Sequence, residues 1–530
     1  MDVLLELKIN KSSRLTDVPA RIIKAFAQKL YKPMTQVINN AVKRGIWPDF
    51  LKMEIVTPVP KASQLKNIDD LRNISGLMNM NKVMEKLICK LIIKDMKDKM
   101  DASQFANQKG VSVDHYLIKM IDKILSDLDK KGESAAVIAT LVDWSKAFPR
   151  LDSTLGINSF LENGVRASLI PIISSFFENR RMCVKWHGKL SKIRQMPAGG
   201  SQGSTFGVLG YLSQSNDNSN CVPIEDRFKF MDDLSILETV LLANVGIATY
   251  NVKHHVPSNI PLHNQIISKD KLKTQIYLDS IQRWTDDRMM VLNERKTKNM
   301  IFNFSKENQF VTELKLKDEP LEVVSETKLL GVYITSDLKW NKNTEYLVKD
   351  ANRRMRILHK AAKFTDNVQD LIVIYKSFIR SKLEQSASVW HSSLTKSNEA
   401  DLERVQKSAL KIILKDRYTD YDEALKKVNL QSLHDRRDFI CFKFAKKSLR
   451  IENFKKMFPT QKQLHSMKKR NQKKYVENYA QTERYKKSSI PSMQRLLNRY
   501  ERNLNSIIEN VASCTNDLGL KRLSRCENLS

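Results

Sequence analysis

The chain has 530 residues, 41% of them apolar, and 90 Lys and Arg against 59 Asp and Glu, a formal net charge of +31. Such a length suffices for about two to four structural units, and so large a positive excess repels itself, pointing to a polyanionic partner, nucleic acid ahead of an anionic membrane surface. The sequence excludes a membrane helix, because no apolar run approaches the roughly 20 residues required. The stretch MDVLLELKINKSS is not expected to act as a secretory leader, because its apolar part is too short and too acidic.

Cys89, Cys183, Cys221, Cys441, Cys514 and Cys526 are scattered, with no Cys-x-x-Cys pair. Neither a disulfide scaffold nor a zinc knuckle is expected, and the composition fits the nucleus or cytoplasm rather than secretion. In chain order, Asp17-Val18-Pro19 opens helices over 17–50, with apolar positions at Ile23, Phe26, Leu30 and Val37. Residues 53–60 alternate as a strand ending at prolines, and 135–142 (AAVIATLV) form a run suited to a buried strand. Residues 181–196 alternate again, and 226–237 read as a hairpin. A strand pair is expected at 319–324 and 328–334, then helices from about 343 to 458. Residues 461–530, rich in Lys, Arg, Asn and Gln, read as a basic tail, partly helical and partly disordered. Strands early and helices late give an α+β body with a helical appendage.

The strongest chemical signal is RFKFMDDLSIL at 227–237, where Asp232 and Asp233 occupy the bend between apolar arms. Two carboxylates so placed repel each other and are poorly solvated, which raises their pKa unless cations offset them. A divalent metal is the simplest offset; an exposed turn is the alternative. Asp143 follows the AAVIATLV run, either as a partner acid or as an ordinary loop acid or helix cap. Phosphoryl transfer by two ions about 3.5–4 Å apart needs bridging carboxylates. One ion would activate a primer 3′-hydroxyl and the other hold the incoming triphosphate. Oxygen-only ligands suit Mg²⁺. In KDANRRMRILHKAAK (349–363), Arg353, Arg356 and Lys360 fall at helical spacing, a face that can track a phosphate backbone or simply be solvated.

The ordered pieces DWSKAF (143–148), PAGGSQGS (197–204), FMDD (230–233) and LNERKTK (292–298) resemble the palm motifs of non-LTR (LINE-like) retrotransposon reverse transcriptases. WPDFLKMEIVTPVPK (47–61) with LRNISGL (71–77) is similar to the fingers, QFANQKGVSVDH (104–115) to the segment before the first catalytic acid, and KLLGVYI (328–334) to the primer grip. Residues 374–395 and 402–414 resemble the helical region downstream, so the likeness spans roughly 10–460.

The resemblance implies a right-hand polymerase: an N-terminal helical extension at 1–50, fingers and palm at 51–340, and a helical thumb with extension at 341–460. It implies an RNA-directed DNA polymerase acting on an RNA template, a DNA primer and dNTPs with two Mg²⁺, for which Mn²⁺ could substitute. Asp143 and Asp232 would bridge the metals, with Asp233 as third acid. Phe148 would pack beneath the nucleotide sugar and exclude a 2′-hydroxyl. Gln202 and Gly203 would contact template and nucleotide, Lys61 and Arg72 would hold the triphosphate, and Lys296 lies where a proton donor to pyrophosphate is expected. Pro149, Ser201 and Asn73 depart from the usual Asp, Pro and Pro, none of them an essential carboxylate position. The match includes no preceding endonuclease and no Cys/His knuckle after it, so independent integration is not expected of this chain alone. The competing readings are RNA-templated RNA synthesis or an intron-type maturase, and a catalytically silent relic or domesticated nucleic-acid-binding protein.

Overall fold

The computed structural model describes residues 1–9, 17–60, 67–132, 135–145, 150–196, 203–241, 248–249, 265–305, 310–460 and 474–500. Eight strands position the site: β1 (Met53–Pro60), β2 (Leu71–Gly76), β3 (Ala135–Val142), β4 (Arg181–Trp186), β5 (Lys189–Leu190), β6 (Arg194–Gln195), β7 (Arg227–Phe230) and β8 (Asp233–Leu241). The fold mixes helix and sheet, as the early strands and late helices require. Among the described residues no helix is long and apolar enough to cross a membrane.

The central sheet runs Glu322–Val323, Lys298–Phe302, β3, β8, β7, with β3 antiparallel to both neighbours. Ala135, Val137 and Ala139 of β3 join one hydrophobic cluster, and Ala136, Ile138 and Val142 join another. Covering both faces removes the need for alternation, which is why the strand reads as an unbroken apolar run. Helix Val113–Lys131 supplies Tyr116, Ile121 and Leu128 to the first cluster, and helix Lys273–Asp287 supplies Leu278 and Ile281 to the second.

The second sheet has the order β2-β1-β4-β5, with β6 also on β4. The parallel pairing of β1 with β4 ends at Val56↔Val184. Pro58, lacking an N–H, cannot extend a ladder on that side. Helices Ala20–Ala25 and Ala27–Arg44 bury Ile23, Ala27, Met34, Ile38 and Ala41 in a third cluster shared with helices Asn79–Met96 and Ile170–Phe177. Phe26 and Val37, expected inside, are each 58% exposed. The helix breaks at Phe26 (φ −95°, ψ 14°), which resets the phase of the apolar stripe.

Two further expectations change. Residues 319–324 and 328–334 do not pair with each other: Glu326–Leu329 pairs with Val332–Thr335, while Glu322–Val323 joins the central sheet. Leu330 and Gly331, at φ 48° and 90°, make a two-residue turn inside what reads as one strand. Residues 474–500, within the span read as a tail, pack onto the body and bury Tyr475, Tyr485, Ile490, Met493 and Leu497. Asp129 accepts hydrogen bonds from the N–H groups of Gln481 (2.9 Å) and Thr482 (2.7 Å), fixing this segment to helix Val113–Lys131. The basic clusters at 468–470 and 473 lie outside the described residues; in 474–500 the buried tyrosines and aliphatics decide the packing.

Candidate active site

The register of the central sheet assembles the acids. β3 and β8 pair through Val142↔Leu234, so the next residues along, Asp143 and Asp233, stand opposite each other, with Asp232 beside Asp233 at the hairpin bend. Directly opposed residues have Cβ atoms about 4.5–5.5 Å apart. The end of β3 is locked in place. Asp143 donates its N–H to the Thr297 hydroxyl (3.2 Å) and accepts at its carbonyl from Asn293 N–H (2.9 Å), while Ser145 N–H donates to Val291 (2.8 Å). The LNERKTK loop is thereby tied to the first acid, with Lys296 exposed on it.

The electrostatics follow from this crowding. Burial pushes the Asp233 carboxyl up to about 7, and the charges of Asp232 and Asp143 add to the rise. Asp232, open to solvent on one side of the bend and enclosed on the other, is also raised by burial, against the pull of its own backbone N–H and of the Arg72 guanidinium. Arg72 is an exposed residue of β2, so the second sheet sets a cation against the acids of the first. Gly203 has φ 114°, and a Cβ there would lie 3.3 Å from the Ser75 carbonyl oxygen. Only glycine suits both that backbone region and that approach to β2.

Thus Asp143, Asp232 and Asp233 come together, with the Arg72 charge acting on Asp232 and the loop of Lys296 tied to Asp143, while Gly203 lies against Ser75 of β2. Lys61, Phe148 and Gln202 lie outside the described residues. Arg353, Arg356 and Lys360 are exposed along helix Asn341–Ala361, whose opposite side buries Leu347, Ala351, Met355 and Leu358. Arg353 pairs with Asp350.

Sequence reasoning passed over the groups that hold the bend. Met231 has φ 57°, an unfavourable conformation for its side chain. Gln104 clamps it: its Oε1 accepts from Met231 N–H (3.0 Å) and its Nε2 faces the Met231 carbonyl (3.4 Å). Backbone bonds flank the clamp, Phe105 N–H to Lys229 O (2.8 Å) and Lys229 N–H to Ser103 O (3.0 Å). Lys229, 2% exposed, donates to Asp101 (3.1 Å) and to the carbonyls of Ser215 (2.9 Å) and Asn216 (3.0 Å). Burial holds its pKa down to about 8 despite Asp101. The available signal was a lysine between Phe228 and Phe230, which in a sheet interior demands an acid partner.

The donor set, three carboxylates whose mutual repulsion raises Asp233, fits a hard divalent cation better than any soft metal. Among the described residues the acids are not drawn into a group with ligand atoms all within 4.8 Å of one another; the group that is consists of His391, Glu399 and His434. There, Arg437 Nε donates to His391 Nδ1 (3.1 Å), so His391 Nε2 carries the proton and donates to Asp438 (3.2 Å). Both His391 ring nitrogens are committed to Arg437 and Asp438, and His434 Nδ1 faces Glu399 (3.2 Å), so these side chains are engaged by protein partners rather than left open as a ligand set.

No family model matches the chain. The chain is 22% identical over 363 residues to the probable RNA-directed DNA polymerase from transposon BS of Drosophila melanogaster, covering 68% of this chain and 38% of that protein. It is 21% identical over 405 residues to the probable RNA-directed DNA polymerase from transposon X-element of the same organism, covering 73% and 40%. The RNA-directed DNA polymerase from mobile element jockey matches at 22% over 304 residues, covering 57% and 31%. The chain therefore spans about two fifths or less of the length of these curated relatives. Among solved structures it is similar to apo telomerase from Candida tropicalis truncated from its C-terminal domain, at 11% identity and TM-score 0.36, covering 62% of each chain. Telomerase from Candida albicans, in complex with a fragment of telomeric RNA, matches at 10% identity and TM-score 0.35, covering 79% of this chain and 67% of that one. The resemblance carried by the motifs holds in the sequence comparisons: the relatives are transposon-encoded RNA-directed DNA polymerases.

Proposed function

We propose that this chain catalyses RNA-templated extension of a primer 3′-hydroxyl by dNTPs, releasing pyrophosphate, as the reverse transcriptase of a non-LTR retrotransposon. The observation that carries the reading is the register that sets Asp143 opposite Asp233, beside Asp232. On this reading the molecule is a right hand. The second sheet with its helices forms fingers (around 50–135 and 150–200), the central sheet the palm (around 136–149 and 196–340), and the helices of 341–460 the thumb and its extension.

Asp143, Asp232 and Asp233 would hold two divalent ions, Mg²⁺ with Mn²⁺ as a substitute, which when bound supply Lewis-acid activation of the hydroxyl and charge neutralisation at the triphosphate. The protein's own groups do the rest. Arg72, whose charge already acts on Asp232, would together with Lys61 hold the triphosphate and stabilise charge on the leaving pyrophosphate. Phe148 excludes a ribose 2′-hydroxyl. Gln202 and Gly203 seat template and nucleotide, Lys296 delivers a proton to pyrophosphate, and Arg353, Arg356 and Lys360 follow the duplex backbone.

Purified protein is expected to extend a primed RNA template with Mg²⁺ and dNTPs. Asp232→Asn is expected to abolish extension while leaving the unfolding transition in place. Equal extension by that variant refutes the assignment, and extension with rNTPs in place of dNTPs points to RNA synthesis instead. Binding of primed template with no synthesis by the unaltered protein favours the silent, domesticated alternative.

A further inference from the structure

The hairpin β4–β5 projects from the second sheet and serves no part of the proposed chemistry. Its turn is His187–Gly188, at φ 45° and 81°, the two-residue geometry whose twist matches the flanking strands. Lys185 pairs with Leu190, and Trp186 with Lys189. Trp186 is 46% exposed, Leu190 58% and Ile193 59%. Burying no core, these side chains are not there to stabilise the fold. Around them stand Arg181, Lys185, Lys189, Lys192 and Arg194, and the sequence carries no acidic residue between Glu178 and Asp217. A ribbon with this charge and no acid to offset it is built for a polyanion.

Two features narrow the partner. First, the cross-strand pair Trp186–Lys189 sets an aromatic ring and a cation on one face at adjacent positions, the combination that stacks an unpaired base and meets its phosphate. Duplex recognition needs no exposed tryptophan. Second, the ribbon is aligned with the candidate site. β1 pairs Pro58 with Asn73 and Val59 with Arg72, and β1 pairs Val56 with Val184 on its other side. The β1–β4 ladder ends at Val56↔Val184, and Val56 also pairs with Ser75, so two strand spacings, about 10 Å, separate the Val184 and Ser75 backbones. Trp186 follows Val184 by two residues, and Arg72 lies three residues from Ser75 toward the same end of the sheet.

We propose that the β4–β5 ribbon binds single-stranded nucleic acid, Trp186 stacking on an unpaired base while Lys189 and Lys192 contact its backbone, and that its occupant is the unpaired template strand approaching the acids. The identity of the strand as template rests on the polymerase reading; the binding itself does not.

The test measures the full chain binding a labelled, unpaired RNA homopolymer and, separately, a blunt duplex. Trp186→Ala is expected to weaken single-strand binding about tenfold with little change on the duplex, and Trp186→Phe to restore most of it. Lys189→Gln with Lys192→Gln is expected to lower the slope of log affinity against log salt by about 1.4, two single-strand phosphates' worth. Unchanged single-strand affinity in Trp186→Ala overturns the proposal and leaves the ribbon to an acidic protein partner; equal losses on both probes overturn the stacking argument. A separate arm follows extension on a primed template with a one-nucleotide overhang. If the unaltered protein fails there, the polymerase reading fails, while the ribbon is still judged on binding alone.

Discussion

Replacing Asp233 by asparagine removes a charge that the fold holds against its electrostatic preference. The carboxyl rises from its ordinary 3.8 to about 7, through burial and then through Asp232 and Asp143. At about 1.4 kcal/mol per pH unit, that rise sets a ceiling near 4 kcal/mol on the destabilisation from ionising the folded chain. Partial exposure screens the interaction, leaving about 1–2 kcal/mol. The sign comes from proton binding. Between about pH 4 and pH 7 the folded state keeps a proton that the unfolded state has released, so this group's contribution falls as pH rises through that window and is fully unfavourable above it. Asp233→Asn is therefore expected to be more stable than the unaltered chain by about 1–2 kcal/mol at pH 8 without divalent ions, and the two should converge toward pH 4. Adding Mg²⁺ should stabilise the unaltered chain more than the variant, because the cation relieves the repulsion the variant no longer has. Urea unfolding midpoints for both proteins, across pH and with or without Mg²⁺, measure this. A variant that is less stable at pH 8, or that gains as much from Mg²⁺, refutes the electrostatic account of the site.

Three other substitutions probe the bend, the buried ion pair beneath it and the choice of nucleotide. Gln104→Ala leaves the strained Met231 turn without its side-chain clamp; losing about 1–1.5 kcal/mol of positioning should cut extension roughly tenfold, mainly in kcat, with higher Mg²⁺ recovering part of it, whereas an unchanged rate and Mg²⁺ dependence would remove Gln104 from the site. Lys229→Met removes one of the two cations on the buried Asp101, leaving Arg227 (3.2 Å), and takes away the donor to the Ser215 and Asn216 carbonyls; it should cost about 1–3 kcal/mol in urea unfolding, and a loss below about 0.5 kcal/mol would mean that Arg227 and water replace the bonds Lys229 makes. Phe148→Ala should admit ribonucleotides, measured as the ratio of rNTP to dNTP incorporation, and an unaltered ratio would assign discrimination elsewhere.

The fold was legible where one physical demand dominated. AAVIATLV has no polar face because β3 is packed on both sides, whereas 53–60 forms the expected strand without alternating burial, Met53 and Glu54 both being buried and Val59 and Pro60 both exposed. Legibility failed where backbone geometry overrode pattern. Leu330 at φ 48° folds KLLGVYI back on itself, and nothing in a hydrophobic count distinguishes that from a straight strand. At 26 the break between two helices turned Phe26 and Val37 outward while keeping the same residues helical. At 474–500 the helical part of the reading stands, as at Glu483–Lys486, while lysines and arginines hide the aromatic and aliphatic residues that dock the segment.

The candidate site shows the same division from the side of chemistry. Its acids could be read because a carboxylate pair between apolar arms has few purposes, and because Asp143 follows the strand that pairs with the arm beginning at Asp233. The clamp could not be read in the same way, since Gln104 acts through a contact 127 residues distant in sequence and glutamine is unremarkable anywhere on a surface. Yet the clamp decides whether the acids meet. An antiparallel ladder fixes Asp143 against Asp233 but says nothing of Asp232, which sits in the turn after a residue at positive φ. A bend of that kind relaxes unless both polar groups of its strained residue are engaged, and the side chain of Gln104 reaches both. Residues proposed to bear the chemistry are thus announced by their own type, while the residue that holds their bend is announced only by what it touches.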